Sequence, residues 1–204
     1  MAVSEPISKV NLERLTNGIY AFTMTLMIRN IQTPPAGTLN DAANFFRFID
    51  TTVLAVADFI GAFLILGMFW LFYFQIFHRM KTFDSRFLYI HLLSLMVVVF
   101  VPFTQWFTTY STDFPIADIL FQLNYLALSL LLACAWYYAR RASPALLVPE
   151  LTDAEASFLQ KKFLVPLGVS LFGIIVLFTG LPYFDIIYLF PFVILLIFFR
   201  HPPQ

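Results

Sequence analysis

The sequence predicts an all-α integral membrane protein, with six transmembrane helices in a single transmembrane domain over residues 1–204. Sixty percent of its 204 residues are hydrophobic and 12% are charged, whereas a soluble domain has about 25% charged residues. The mean hydropathy of +0.82 agrees with a chain embedded in a lipid bilayer. Apolar runs alternate with polar connectors, and about 20 apolar residues suffice for a spanning helix. The predicted helices cover residues 13–31, 52–77, 87–107, 116–139, 163–180 and 186–199.

Proline and polar residues delimit the first three helices. Helix 1 is apolar over residues 19–28, which is short for a helix that faces lipid. Pro34 and Pro35 end it, and we expect residues 32–50 to form a loop. Helix 2 ends in an aromatic tract of the kind found at membrane interfaces. Helix 3 contains Pro102, which membrane helices tolerate when neighbouring groups satisfy the freed carbonyl.

The last three helices follow from similar signals. Helix 4 ends on the basic pair at residues 140–141. Thr152 and Glu155 have the spacing of a capping box, so we expect a helix to begin there and to continue into helix 5. Helix 6 contains Pro191 and ends before the polar C-terminal residues.

Basic residues give the predicted orientation. All but two of the 12 Lys and Arg residues fall on the side of the N-terminus, and Arg29 and Arg47 fall on the other side. Cytoplasmic connections carry the excess of Lys and Arg, so both termini are expected in the cytoplasm. The N-terminal residues lack the pattern of a secretory signal peptide.

Several classes of function have no support in the sequence. We find no phosphate-binding loop, no HExxH or GxSxG motif and no cysteine–histidine cluster with metal spacing. The single cysteine, Cys134, cannot form an intrachain disulfide. The net charge of zero gives no basic surface for nucleic acid. We therefore expect no enzyme, no cofactor, no bound metal and no nucleic-acid partner.

Helix 1 differs from an ordinary lipid anchor. Gly18, Phe22, Thr25 and Arg29 recur at helical spacing and share one face. That face combines a small residue, a bulky ring, a hydroxyl and a cation. Such a face suits contact with protein or water rather than with lipid.

Other polar residues inside the predicted helices can have structural or functional roles. Asp58 and Asp118 either serve helix ends near water, or attract cations to a vestibule or form an interhelical bond. His91 is either a structural histidine or a proton relay, and the structural role is favoured. Asn124 and Gln105 are expected to pin helices together. The Thr25 hydroxyl can also bond back to its own helix.

The segment LERLTNGIYAFTMTLMIRNI, residues 12–31, resembles the signature of the transmembrane protein 175 family, which are potassium channels. The segments FWLFYFQIF (69–77) and LLSLMVVVFVPFTQWF (92–107) are similar to the family's second and third helices. The resemblance covers most of residues 11–140. Within the signature, Thr16 stands for the family's serine and Asn17 for its aspartate. The positions that match directly are Leu12, Glu13, Gly18, Ala21, Thr25, Leu26 and Ile31.

The resemblance implies a potassium-permeable cation channel of the prokaryotic single-repeat type, located in the prokaryotic cell membrane. It implies a homotetramer in which four copies of helix 1 line a central pore. Phe22 then forms a hydrophobic constriction and Thr25 a ring of hydroxyls for the permeating potassium ion. The alternatives are an ion-coupled secondary transporter and, because of Arg29, a non-conducting or anion-permeable homologue.

The resemblance also implies a polar network that holds helix 1 in place, and here the sequence departs from the family. The family's arginine, aspartate, histidine and asparagine are replaced by Asn11, Asn17, Tyr73 and His91, so the network becomes largely neutral. A neutral network avoids the desolvation cost of buried charges. The full set of predicted network residues is Asn11, Arg14, Thr16, Asn17, Trp70, Tyr73 and His91.

Arg29 stands where family members carry an apolar residue. Four arginines around a pore mouth would repel potassium. Arg29 therefore either extends to the membrane surface, pairs with Asp41, Asp50 or Asp118, or marks a chain that does not conduct cations. Pairing and extension are the favoured alternatives, since Arg29 ends its helix.

Overall fold

The computed structural model describes residues 8–34, 36–37, 41–110, 115–142, 144–179 and 184–199. Within this part the chain is helical, which confirms the predicted all-α class. The helices are α1 (Lys9–Leu26), α2 (Ala42–His78), α3 (Ser85–Tyr110), α4 (Pro115–Tyr137), α5 (Asp153–Leu177) and α6 (Phe190–Phe198). Short 3₁₀ turns occupy Met27–Asn30, Pro144–Leu146 and Phe184–Leu189, and a π turn occupies Tyr138–Ala142.

Helix α1 begins at Lys9 and not at residue 13 as predicted. Ser8 caps it, because its hydroxyl accepts a hydrogen bond from the Asn11 N–H at 3.3 Å. The last predicted turn is a 3₁₀ turn, Met27–Asn30, so the helix tightens before the chain leaves it.

Helix α2 corrects the predicted loop over residues 32–50. It starts at Ala42, so residues 42–50 are helical and the helix is 37 residues long. Asp41 begins it by accepting a hydrogen bond from the Asn44 N–H at 3.2 Å. The negative charge of Asp41 also interacts favourably with the positive N-terminal end of the helix dipole.

Caps fix the starts of α3 and α5. The Asp84 carboxylate accepts from the Phe87 N–H at 2.9 Å, and Thr152 accepts from the Glu155 N–H at 3.2 Å. The helix from Thr152 runs without a break through Pro166 to Leu177, as expected from its capping signal. The Glu155 side chain pairs with Arg79, the residue that follows α2, instead of returning to Thr152. The predicted end of helix 5, residue 180, lies outside the described residues.

Four helices are long and apolar enough to cross a membrane: Ala42–His78, Ser85–Thr108, Ile116–Arg141 and Asp153–Leu177. The apolar segment Ile187–Phe198 is shorter. Helix α1 carries too many polar residues to qualify on hydropathy alone. Length and composition thus identify four candidate spans in the described part of the chain, and neither α1 nor α6 is among them.

Aromatic side chains form much of the core between the helices. Trp136 of α4 is fully buried and lies edge-on to Phe163 of α5, with ring centroids 5.5 Å apart. Its indole N–H donates to the Ala156 carbonyl at 3.3 Å. Phe72 of α2 packs on the other side of Phe163, at 5.3 Å. This cluster joins α2, α4 and α5 near their ends on the side of the N-terminus.

The connectors on that side are tied to one another. Leu146 accepts hydrogen bonds from the backbone N–H groups of Lys81 and Thr82, and the Val148 N–H donates to Arg79. The Tyr138 hydroxyl donates to Asp84. These bonds hold the α2–α3 and α4–α5 connectors together beneath α1.

A glycine controls the contact between α4 and α5. A methyl group at Gly173 would lie 2.7 Å from the side-chain nitrogen of Gln122. Gln122 cannot easily move, because it donates to the Ser170 carbonyl at 2.5 Å and accepts from the Tyr188 hydroxyl.

We expect Gly173→Ala to destabilise the protein by about 1–3 kcal/mol, the usual cost of overpacking a core. Thermal unfolding of the purified protein in detergent measures this. The control is Gly168→Ala in the same helix, where an added methyl meets no described atom within 4 Å. Equal melting temperatures for the two variants would contradict the packing argument.

Candidate functional site

Helix α1 has a buried face and a bare face. Its buried side chains are Leu12, Thr16, Tyr20 and Thr23, followed by Met27 in the 3₁₀ turn. They pack against α2 and α3. The opposite face, which is the bare face, is exposed in the single chain.

The centre of the anchored face is a hydrogen bond between Thr16 and His91. The Thr16 Oγ1 and His91 Nε2 atoms are 2.7 Å apart, and both side chains are buried. Thr16 Oγ1 also lies 2.8 Å from the Leu12 carbonyl, to which it can only donate. The single hydroxyl proton is therefore used there, and His91 Nε2 is the protonated nitrogen that donates to Thr16.

His91 is enclosed by aromatic rings on its other sides. The ring of Tyr73 lies edge-on at 4.6 Å between centroids, and Phe77 and Phe87 lie at 5.2 Å and 6.2 Å. The Nδ1 atom has no hydrogen-bond partner among the described residues. An unprotonated ring nitrogen facing rings matches the structural reading of His91 better than a proton relay.

Tyr73 contacts His91 through its ring and not through its hydroxyl. The hydroxyl donates to Ser94 Oγ at 2.8 Å, one turn further along α3. Tyr73 and His91 therefore meet between α2 and α3, as the resemblance implies. Ser94 is a member of this cluster that the sequence analysis missed.

Asn17 and Trp70 form a second link between α1 and α2. The indole N–H of Trp70 donates to the Asn17 side-chain oxygen at 2.8 Å. An asparagine oxygen accepts this bond as an aspartate would, without carrying a charge into the membrane. The neutral asparagine therefore suffices for this link between α1 and α2.

Lys9 anchors the N-terminal end of α1, and the sequence analysis did not identify it. Its ammonium donates to the Met80 carbonyl at 2.7 Å and lies 3.8 Å from Glu13. A cavity of about 210 Å³ lies beside it, with Asn17 and His78 in its wall. Lys9 lies in the first turn of α1. The sequence analysis missed it because the predicted helix began only at residue 13.

Asn30, in the 3₁₀ turn that follows α1, anchors the C-terminal end. Its side-chain nitrogen donates to the Pro102 carbonyl at 3.0 Å and to Gln105 Oε1 at 2.5 Å. Asn124 of α4 adds a bond to Thr104 of α3 at 3.1 Å. Gln105 and Asn124 thus pin helices together, as expected from their residue types.

Two predicted network members lie elsewhere. The side chains of Asn11 and Arg14 are exposed, and neither makes a hydrogen bond or ion pair to the other described residues. Both fall on the bare face, on the opposite side of α1 from Thr16. The network therefore holds α1 through Lys9, Thr16, Asn17 and Asn30.

The bare face contains the four residues that helical spacing placed together. Gly18, Phe22, Thr25 and Arg29 are all exposed, and the Phe22 side chain is 61% exposed. The Thr25 hydroxyl donates to the Phe22 carbonyl at 2.8 Å, which leaves its oxygen lone pairs directed outward. Among the described residues, Arg29 makes no ion pair with Asp41, Asp50 or Asp118.

The apolar helices and the polar anchors of α1 define a polytopic helical membrane protein. The profile of the family described as "Endosomal/lysosomal potassium channel TMEM175" matches residues 11–102. This range contains most of α1, all of α2 and most of α3. Over these residues the chain is similar to the TMEM175 family, and its apolar helices are those of an integral membrane protein.

Two further proteins are similar to this chain. A potassium channel of Streptomyces collinus is 24% identical over 137 residues, which are 64% of this chain and 64% of that protein. The crystal structure of a lysosomal potassium-selective channel TMEM175 homolog from Chamaesiphon minutus superposes with a TM-score of 0.78. It is 18% identical, and the match covers 92% of this chain and 96% of that one, which shows a shared fold.

We expect Thr16→Val to lower the free energy of unfolding by about 1–2 kcal/mol, because it leaves the buried His91 N–H without an acceptor. Denaturant unfolding in detergent, followed by tryptophan fluorescence, measures the loss. Thr16→Ser keeps the hydroxyl and should retain more of the stability. Thr25→Val on the bare face is the matched control, and a loss as large as that of Thr16→Val would argue against the anchor.

Proposed function

We propose that this chain forms a potassium-permeable channel as a homotetramer, with α1 of each subunit lining a central pore. The observation that carries the proposal is the bare face of α1. A helix fixed by polar bonds on one side, with small, aromatic and hydroxyl residues exposed on the other, is poorly suited to lipid. Four such faces around an axis would enclose a path for ions. The names of the two relatives support potassium as the ion.

Phe22 and Thr25 have separate roles in this proposal. Four Phe22 rings would close the pore sterically and by excluding water. Four Thr25 oxygens would form a polar ring one turn away. Because each Thr25 proton is donated to its own helix, an oxygen lone pair remains for a partly dehydrated cation.

The proposal includes six spans with both termini in the cytoplasm of a prokaryotic cell. Helix α1 and its 3₁₀ turn together extend about 35 Å, enough for a hydrocarbon core of about 30 Å. Residues 184–198, a 3₁₀ turn followed by α6, extend about 25 Å. A pore-lining α1 would contact protein and water rather than lipid, and this position would explain its low hydropathy.

Arg29 fits the outer mouth of such a pore. It lies in the final 3₁₀ turn of helix 1, beyond Thr25, and its side chain is exposed. From there it can reach the membrane surface, where its charge stays hydrated and screened. This position reduces its repulsion of potassium without removing it.

We expect Phe22→Ala to raise potassium flux into proteoliposomes, because the smaller side chain widens and wets the constriction. We expect Thr25→Ala to reduce the preference for potassium over sodium, because the polar ring is lost. Fluxes of potassium, sodium and chloride, measured under equal gradients, test both.

Matched controls come from helices outside the proposed pore. Phe172→Ala in α5 trims a ring that is 51% exposed. Thr51→Ala in α2 removes an exposed hydroxyl that bonds its own helix, to the Arg47 and Phe48 carbonyls. If these changes alter flux as much as the α1 changes do, α1 does not line the pore. Saturable flux coupled to a second gradient would instead support a transporter.

Arg29 distinguishes a cation channel from an anion-permeable homologue. We expect Arg29→Gln to increase potassium flux modestly at low salt, with a smaller effect at high salt, because screening already weakens the charge. Arg47→Gln, the other basic residue predicted on this side, is the control. Chloride flux that disappears in Arg29→Gln would keep the architecture and reverse the choice of ion.

The assembly itself is tested by mass. Native mass spectrometry or light scattering of the purified protein should give four copies of the 23.5 kDa chain. A monomer or dimer in both detergent and nanodiscs would remove the central pore.

A further inference from the structure

A second cavity lies between α2, α5 and α6, on the side of the molecule where the N-terminus begins. It has a volume of about 210 Å³. Its polar wall comes from Gln75, His78, Arg79, Glu155 and Lys162, and its apolar wall includes Phe74, Phe158 and Phe199. It is separate from the bare face of α1 and has no part in the proposed pore.

Lys162 gives this cavity an uncompensated positive charge. The side chain is half-buried, and its ammonium donates to Gln75 Oε1 at 3.1 Å. Among the described residues, no carboxylate lies within 4.0 Å of it, and Glu155 in the same cavity pairs with Arg79. An ammonium has three donors, and a half-buried one without a counter-ion is costly.

The neighbouring ion pair leaves the cavity positive. Arg79 bonds Glu155, and the two charges cancel. Guanidinium has five N–H donors, so Arg79 can bond an anion while it keeps Glu155. Lys162 and Arg79, both in the polar wall, therefore offer donors to an anion in the cavity.

The depth of Lys162 suits a lipid headgroup. It lies nine residues beyond Asp153, or about 14 Å along α5, at the point where the helix becomes apolar. The volume is below the roughly 300–1,000 Å³ of sites that enclose a whole small molecule. The exposed ring of Phe74 at the wall offers a surface for an acyl chain.

We propose that this cavity binds the phosphate group of an anionic phospholipid, with Lys162 and Arg79 as donors and the acyl chains outside along the aromatic wall. Basic pockets between transmembrane helices on the cytoplasmic side bind anionic headgroups in this way. The proposal requires membrane insertion but not ion conduction.

The test is native mass spectrometry of the purified full-length protein in detergent, titrated with phosphatidylglycerol or phosphatidylcholine. We expect phosphatidylglycerol to bind more tightly. Lys162→Met should weaken its binding about fivefold, the effect of one charge near a membrane surface. Lys161→Met, which removes the exposed neighbouring lysine, is the matched control and should change binding little.

Glu155→Gln tests the same site in the opposite direction. It removes the carboxylate that neutralises Arg79, so phosphatidylglycerol should bind more tightly, a gain that misfolding cannot produce. Equal effects of Lys161→Met and Lys162→Met, or no gain in Glu155→Gln, would overturn the proposal. So would inorganic phosphate that displaces the lipid with the same dependence on Lys162, since the site would then serve a soluble anion.

Discussion

The hydrogen bond between Thr16 and His91 is the contact on which the position of α1 depends. Helix α1 is too polar to be held in place by hydrophobic burial alone, and in a bilayer apolar contact gives little preference for protein over lipid. The buried His91 N–H requires an acceptor, and only one rotation of α1 about its own axis presents Thr16 to it. This hydrogen bond therefore specifies the orientation of α1 better than apolar contacts do. Lys9 and Asn30 then fix the two ends of the helix.

This anchoring determines which face of α1 remains free. Once Thr16 points toward α3, helical periodicity directs Gly18, Phe22, Thr25 and Arg29 away from the bundle. The bare face is thus a consequence of the buried network. Neutral hydrogen bonds suffice for this anchoring, and paired charges would cost more to bury.

Several features could be read from the residues alone. The spacing along helix 1 identified its bare face, and the capping signal at Thr152 identified a helix that continues into α5. The start of α2 was misplaced because the aromatic residues after Asn44 carry no clear period, although Asp41 is a good cap. Arg14 and Asn11 were assigned to the network by resemblance, but their helical positions put them on the other face.

The sequence by itself determined the membrane class, the helical fold, the similarity to one channel family and the residues that share one side of α1, because each follows from composition, local periodicity or a local motif. Only the tertiary structure decided which partners those residues meet. The bonds from Lys9 to Met80, from Asn30 to Pro102 and from Lys162 to Gln75 join residues far apart in the chain. Such pairs depend on how the helices pack, and no local pattern encodes that arrangement.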